Sequence, residues 1–447
     1  MAFPATGSPQ SHSPFHRNRT GAMNAVRRHA GRKALLALGL FCGIATAALS
    51  QEEPKEQALS GIRVSESNEL MEQLKHMPFI EVGKGVSFQA RNKTFGMTMR
   101  ARMQSLLEFD LDEDFHHTVT DAEVKRIRLN FEGYVLSPKL LYSIQLGFAP
   151  NDMKTAPNGN SNIVRNAILY YKPNSHWNFG VGQAKIKANR AHSTSSSALE
   201  FVDRSIVDGQ FQLDGDFGFF GEFYHTLSGS FDVAAKASIT MGEGRNWGKS
   251  SSQSGFAYTG RLELFPFGSF KGKGEAFEGD YEHEEQPKLM LGGAFAYNDH
   301  ATRLNGQTGD FLPNGETRSL KSYFADLVFK YRGFAFAADF MGRACADPLF
   351  AAAPETAVFA GKGINVQASY MLPKHWSVAL RNATLFPEEE IRPVVGYKQF
   401  NQTTLGITKY LMGHNFKVQA DASYNHRTEA LAGYDRWQFR FVLEVGI

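Results

Sequence analysis

The stretch Phe95–Phe109, FGMTMRARMQSLLEF, alternates between apolar and polar side chains over most of its length. One face carries Phe95, Met97, Met99, Ala101, Met103 and Leu107, and the other carries Thr98, Arg100, Arg102, Gln104 and Glu108. Successive side chains of a strand point to opposite faces, so a period of two predicts a β-strand with one apolar and one polar side. This strand is expected to separate a nonpolar environment from water.

The same pattern recurs in both directions from this strand and continues to Ile447. It gives about sixteen strands, most of them about ten residues long, which is the length of a tilted transmembrane strand. Short and long connectors alternate, as periplasmic turns and external loops do in outer-membrane barrels. Only 266–287 is long where a short turn is expected. The sequence therefore predicts an all-β fold, a transmembrane antiparallel β-barrel of about sixteen strands. A soluble β-sandwich also alternates, but it would leave too many apolar faces to bury.

One long connector differs in composition from the others. The stretch Gly182–Tyr224 is polar and basic, and it shows little alternation of its own. It also contains Phe201, Val202, Ile206 and Val207, which need a surface to pack on and so argue against disorder. We therefore expect an inward-folded constriction loop at the mouth of the barrel. A barrel of about sixteen strands encloses a water-filled channel rather than a packed interior, so the expected function is that of a pore.

The amino-terminal region is typical of a targeting sequence. Residues 1–50 combine basic residues with the short apolar run Ala34–Ala45, as a signal peptide does, and Met23 is an alternative start. A retained membrane anchor is the other interpretation. Residues 51–85 are expected to form a short periplasmic N-terminal extension or a disordered linker, and 86–447 the porin barrel. Export by the signal peptide predicts the outer membrane of a Gram-negative cell.

The charge balance and the motifs exclude several functions. Removing 1–50 takes away six basic residues and no acidic one, leaving 42 basic against 45 acidic residues, a net charge of −3. We therefore expect no nucleic-acid partner. The sequence has no Gly-x-Ser-x-Gly motif, no zinc-ligand spacing and no phosphate-binding glycine loop. We expect no enzyme activity, no catalytic residue, no metal and no cofactor.

Basic residues on two neighbouring strands are the candidate solute path. By parity Arg100, Arg102, Arg126 and Arg128 point inward on strands about 5 Å apart, where they would raise the local anion concentration. The loop residues Lys185, Lys187 and Arg190 are expected to face them. The alternative is that the arginines pair with Glu108 and Glu132 and brace the wall. The pair Asp203-Arg204 is expected to anchor the loop to the inner wall.

Several segments together resemble the phosphate-selective porin O and P family, in particular its Bacteroidetes-type outer-membrane porins. The similar segments are Arg126–Gly133, Gly182–Lys185, Asn189-Arg190, Phe201–Val207 and Asp216–Gly218. The resemblance implies a trimeric sixteen-stranded channel for small anions such as phosphate. Its implied partners are these anions, outer-membrane lipid and further copies of the chain. The basic residues are fewer than in a strongly phosphate-selective pore. A non-selective general diffusion porin is thus the alternative, followed by a structural or adhesive barrel.

Overall fold

The computed structural model describes residues 79–81, 83–155, 161–246, 255–396, 398–428 and 436–447. The predicted signal peptide and most of the predicted extension 51–85 lie outside these residues. The described strands are β1 (Phe79–Glu81), β2 (Gly85–Gln89), β3 (Phe95–Asp112), β4 (His117–Val135), β5 (Ser137–Gly147), β6 (Lys154–Thr155), β7 (Ser161–Asn162), β8 (Val164–Tyr171), β9 (Trp177–Lys185), β10 (Gly215–Ser228), β11 (Phe231–Thr240), β12 (Ala257–Phe265), β13 (Lys288–Ala301), β14 (Arg318–Tyr331), β15 (Phe334–Cys345), β16 (Gly361–Leu372), β17 (Trp376–Pro387), β18 (Gln399–Met412), β19 (Phe416–Thr428) and β20 (Arg436–Gly446).

Short helices occur only in connectors within these described ranges. The α-helices are Arg190–Ser193, Ile206–Phe211 and Arg392–Val395, and the 3-10 helices are Lys271–Ala276, Pro313–Gly315 and Glu389–Ile391. None of the helices in the described part of the chain is both long and apolar enough to cross a bilayer.

Sixteen of the described strands form one closed antiparallel barrel. They are β3–β5 and β8–β20, and each pairs with its neighbours in chain order. Strand β20 closes the barrel against β3, with Arg440 opposite Glu108, and Ile447 exchanges two backbone hydrogen bonds with Ala101. Strand β2 continues this edge by pairing with the first residues of β3. The predicted barrel of about sixteen strands is confirmed.

The two faces of the wall differ as the alternation predicts. In β18, Leu405 and Ile407 are 56% and 43% exposed on the outside, whereas Thr404 and Thr408 are buried on the inside. Near the short-turn end, the outward ring of Trp177 packs 4.7 Å from that of Phe223. An apolar outer band that ends in aromatic rings is typical of a barrel in a bilayer.

One sector of the inner face departs from the expected polar pattern. Phe324, Met341 and Leu385 belong to a buried apolar cluster together with Val207 and Phe211 of the connector between β9 and β10. This connector, residues 186–214, is called the constriction loop below. It packs closely enough that a Cβ atom on Gly363 would lie 2.8 Å from a methyl carbon of Val207. The apolar inner residues form a surface that the loop covers, so they do not face water.

The connector between β12 and β13, residues 266–287, is called the long connector below. Most other links at this end are tight turns. For example, Arg332 and Gly333, with φ angles of 49° and 85°, join β14 to β15, as a two-residue hairpin turn requires. The long connector instead contains the 3-10 helix Lys271–Ala276 and lies inside the barrel, where Phe270 is buried.

Candidate pore constriction

The constriction loop has a compact internal structure that its own helix and hydrogen bonds hold together. Its helix Ile206–Phe211 begins after Ser205, whose side-chain oxygen accepts a hydrogen bond from the backbone N–H of Asp208, a stabilising N-cap. Arg204 donates to the carbonyls of Ala191 (3.0 Å) and Thr194 (2.6 Å). These bonds join the two halves of the loop.

A buried histidine connects the same two halves. The ring nitrogens of His192 lie 3.4 Å from Asp208 and 3.3 Å from Asp214. Burial alone would raise the pKa of Asp214, but the guanidinium of Arg245 and the hydrogen bond from His192 hold it well below its usual range. The loop therefore carries ionised carboxylates in its interior, each with a partner.

The loop is attached to the inner wall on the β17–β20 side. Lys417 donates to the carbonyl of Leu199 (2.6 Å), Thr408 to that of Glu200 (2.9 Å), and the backbone N–H of Val202 to Asp421 (3.0 Å). Phe201 is buried between these bonds. One of the segments that carried the family resemblance, Phe201–Val207, therefore begins where the loop meets this side of the wall.

Phe201 fits a position where the wall has no side chain. A Cβ atom on Gly406 would lie 2.9 Å from the Phe201 ring, and the guanidinium of Arg381 lies 4.4 Å from the ring centroid. The same Arg381 donates to the carbonyl of Asp203 at 2.8 Å. Aromatic, cation–π and hydrogen-bond contacts thus converge on one point of the loop.

Next to this attachment, across the β20–β3 pairing, the loop also meets β3 and β4. The hydroxyl of Ser196 accepts from Arg102 (2.5 Å) and Arg128 (3.1 Å). The carboxylate of Asp203 lies 2.7 Å from Lys125 and 3.5 Å from Arg126. Burial opposes ionisation of Asp203, but these two cations lower its pKa overall. The loop begins at β9, half-way round the barrel from β17 in strand order, so it crosses the lumen and contacts a continuous stretch of wall from β17 to β4.

The predicted anchor pair divides into two roles. Asp203 contacts Lys125 and Arg126 of the wall. Arg204 contacts only other residues of the loop, including Asp208 at 3.5 Å, and no wall residue in the described ranges. The assignment of both residues as a wall anchor therefore applies by contact to Asp203 alone, because Arg204 points back into the loop.

The four predicted wall arginines differ in exposure. Arg100 has 41% of its side chain exposed and pairs with Glu132. Arg102, Arg126 and Arg128 retain only 16%, 12% and 11%. Parity correctly placed all four on the inner face, but the constriction loop covers three of them.

The covered arginines have specific partners. Arg102 lies 3.4 Å from Glu444, and Arg128 donates two hydrogen bonds to Asp152, at 2.5 and 2.7 Å. Arg126 donates to Gln104. The alternative pairing with Glu132 is present for Arg100. Glu108 accepts from Gln438, and no arginine of the described residues lies within ion-pair distance of its carboxylate.

A cavity of about 980 Å³ lies between the constriction loop and the short turns of β3–β13. Arg100, Lys187 and Arg190 of the predicted set line this cavity. Lys185 does not, because it donates to the carbonyl of His192 inside the loop. Four further basic residues complete the lining: Lys172, Lys236, Arg261 and Lys273.

The four additional residues were only partly accessible to sequence reasoning. Lys236 and Arg261 have inward parity on strands β11 and β12, but alternation does not tell which level of the lumen is open. Lys273 lies in the long connector, and nothing in its sequence indicates that it turns into the barrel. In the described ranges, no group of three or more His, Cys, Asp or Glu side chains is arranged to hold a metal ion.

A closed sixteen-stranded membrane barrel with a loop folded across its lumen defines an outer-membrane porin. The sequence model of the family described as "phosphate-selective porin O and P" matches residues 97–435. The chain belongs to this family, and it is a porin channel of the outer membrane. Family membership indicates a channel rather than an enzyme. No curated protein sequence matches the chain significantly.

Solved structures with similar folds are distant in sequence. The outer-membrane channel DcaP of Acinetobacter baumannii is 12% identical, with a TM-score of 0.50 over 81% of this chain and 100% of that one. This likeness supports the barrel fold alone. An anion-selective porin from Comamonas acidovorans is 10% identical, with a TM-score of 0.49 over 78% of this chain and 99% of that one.

Proposed function

We propose that this porin passes small hydrophilic solutes with a modest preference for anions, phosphate among them. The observation that carries the proposal is the contribution of the constriction loop to the cavity. The loop adds Lys187 and Arg190 to the lining and no acidic side chain. Positive charges at the narrow section of an aqueous pore raise the local concentration of anions.

The charge balance around the cavity sets the size of the preference. Seven basic and four acidic side chains line it. Asp326 and Asp339 lie outside the lining and reduce its excess of positive charge, because they pair with Arg261 and Arg190. The remaining surplus is small, so a modest selectivity is expected rather than a high-affinity phosphate site.

Three lysines of the lining provide the uncompensated charge. Among the residues that the structure describes, no carboxylate lies within ion-pair distance of Lys172, Lys187 or Lys273. Burial is the largest influence on Lys187 and lowers its pKa. An anion beside Lys187 would stabilise its charged form, which a passing cation would not do.

The proposal gives the predicted residues different tasks. Arg100, Lys187 and Arg190 contact the solute. The residues that act on the solute from a distance, without lining the cavity, are Arg102, Arg126, Arg128 and Lys185. Their charges reach the path because screening extends over about 10 Å at 0.1 M salt. Asp203 and Arg204 keep the loop in position.

Charge reversal at the loop tests this proposal. Lys187→Glu changes the local charge by two units, and one unit at roughly 5 Å in water is worth about 0.8 kcal/mol. The change disfavours an anion and favours a cation by about 1.7 kcal/mol each, so the anion-to-cation permeability ratio should fall, by at most roughly two- to threehundredfold before screening. The ratio is measured from the reversal potential of a planar bilayer under a salt gradient.

The matched control is Lys139→Glu, the same change at an exposed residue of β5. It should keep the reversal potential of the parent. If Lys187→Glu also keeps that potential, the anion preference is refuted, and a non-selective general diffusion porin is the better assignment.

We also propose a homotrimer embedded in outer-membrane lipid, which the family resemblance implies. Mass measurement of the detergent-solubilised protein, corrected for bound detergent, should give three chains per particle. A particle of one chain would contradict this part of the proposal and leave the solute path unaffected.

A further inference from the structure

The long connector is seated on an apolar part of the inner wall. Phe270 packs in a buried cluster with Ala234, Met290, Val328 and Ala337. These four residues lie on strands β11, β13, β14 and β15. Apolar residues facing the interior of a water-filled barrel need a cover, and the connector provides it.

A buried lysine of the wall binds the backbone of the connector at three points. The ammonium group of Lys330 donates to the carbonyls of Gly274 (2.8 Å), Phe277 (3.1 Å) and Gly279. Lys330 is 2% exposed. An ammonium has three donors, and here each has a backbone acceptor on the same short segment.

The connector also bonds directly to the constriction loop. The backbone N–H of Glu278 donates to the carbonyl of Ala198 at 3.0 Å. In return the backbone N–H of Glu200 donates to the carboxylate of Glu278 at 2.8 Å. The two segments therefore share a reciprocal pair of hydrogen bonds inside the barrel, beside the wall strands β17 and β18 to which Glu200 is also bonded.

A glycine permits this close approach. Gly279 has a φ of +65°, and a Cβ atom there would lie 2.3 Å from a carboxylate oxygen of Glu200. Both observations exclude a side chain at this position without a local shift. The backbone of the connector thus lies directly against the side chain of Glu200 in the constriction loop.

Aromatic rings join the connector to the β18–β19 turn. The ring of Phe277 lies 4.7 Å from that of His414, and the ring of Tyr281 lies 5.1 Å from that of Tyr410. His414 in turn lies 3.2 Å from the carbonyl of Ser197 in the constriction loop. The connector, the turn and the loop meet at one place.

We propose that the long connector is a second constriction element. It closes one side of the periplasmic half of the lumen and holds the constriction loop from the periplasmic side. Its open face supplies Phe270, Lys273 and Glu275 to the cavity. Solutes must then pass between this face and the β3–β10 wall. The connector limits solute size and steadies the loop. This inference concerns size and is independent of the proposed anion preference.

Two variants test the inference. The first replaces residues 268–285 with Asn-Gly, the tight turn that a hairpin normally uses. The second, Lys330→Met, keeps the aliphatic stem and removes the three hydrogen bonds. The control is Lys271→Met, which removes an equal charge from the connector at an exposed pair with Glu285.

Single-channel conductance and liposome swelling with neutral sugars of increasing size give the readouts. The shortened variant should conduct at least about twofold more than the parent, because conductance follows the open cross-section of a wet pore. It should also admit larger sugars. Lys330→Met should show a noisier current and an intermediate size limit, and Lys271→Met should match the parent.

Parent-like conductance and size limit in both test variants, with folded barrels, would overturn the inference. If the shortened chain fails to fold, Lys330→Met decides alone. Because the sugars are uncharged, these readouts do not depend on ion selectivity. Failure of the proposed anion preference would leave them unchanged and would appear only in the reversal potential.

Discussion

Replacing Phe201 with alanine should release the constriction loop without opening the barrel wall. The side chain is 1% exposed, lies against Gly406 and stacks under Arg381. Truncating a buried phenylalanine costs about 3–5 kcal/mol through lost burial and the cavity left behind. At about 4 kcal/mol, the ratio of detached to attached loop rises about a thousandfold.

The bonds of Leu199 and Val202 to the wall remain in this variant, so detachment should be transient. Single-channel recordings should show brief steps to higher conductance that the parent lacks. Trypsin should cut the variant within the loop, after Arg190 or Arg204, at enzyme levels that leave the parent intact.

The control is Phe219→Ala, an equal truncation on the outer face, where the ring is 67% exposed. It should leave both readouts at the parent level. If Phe201→Ala shows the current noise and the tryptic pattern of the parent, Phe201 does not attach the loop, and the contact argument is refuted.

Three further outcomes are expected. The double variant Arg100→Ala with Arg126→Ala should lower the anion preference without unfolding the barrel; an unchanged reversal potential would assign both arginines to bracing alone. Burial raises the pKa of Glu200 from 4.5 to about 6, so the folded protein binds the extra proton. The free energy of unfolding should therefore fall by about 2 kcal/mol as the pH rises from 4.5 to about 6, and it should stay at the lower value above that pH. Thermal unfolding in detergent should show this slope in the parent and lose it in Glu200→Gln; an equal slope in both would contradict the assignment. Gly279→Ala, at a left-handed backbone position, should cost about 1–2 kcal/mol and increase current noise as Lys330→Met does, and a quiet channel would show that the contact with Glu200 relaxes freely.

The barrel itself was predictable because each strand borders two different media. In Phe95–Phe109 the apolar residues of the alternating pattern face lipid and the polar residues face the lumen. The inward position of the constriction loop was predictable for a similar reason. Phe201 and Val207 are apolar residues in a polar segment, and the interior of the barrel offers them a packing surface.

The alternating pattern does not predict which inward-facing residues the constriction loop and the long connector cover. Tyr323 and Phe324 are both apolar, so the pattern at that point does not tell which of them meets lipid and which meets the loop. Parity placed Arg102 inward but carried no information on what covers it. The contacts of Lys330 are with backbone carbonyls, which every residue has, so no sequence signal marks its partner.

The attachment of the constriction loop has a consequence for the order of assembly. Lys417 and Leu199 are 218 residues apart in the chain, and Thr408 and Glu200 are 208 apart. Contacts of such separation form late, since the intervening chain must first be ordered. The loop is synthesised before the strands that receive it. By this argument the loop reaches its final position only after β18 and β19, which carry Thr408 and Lys417, have joined the sheet.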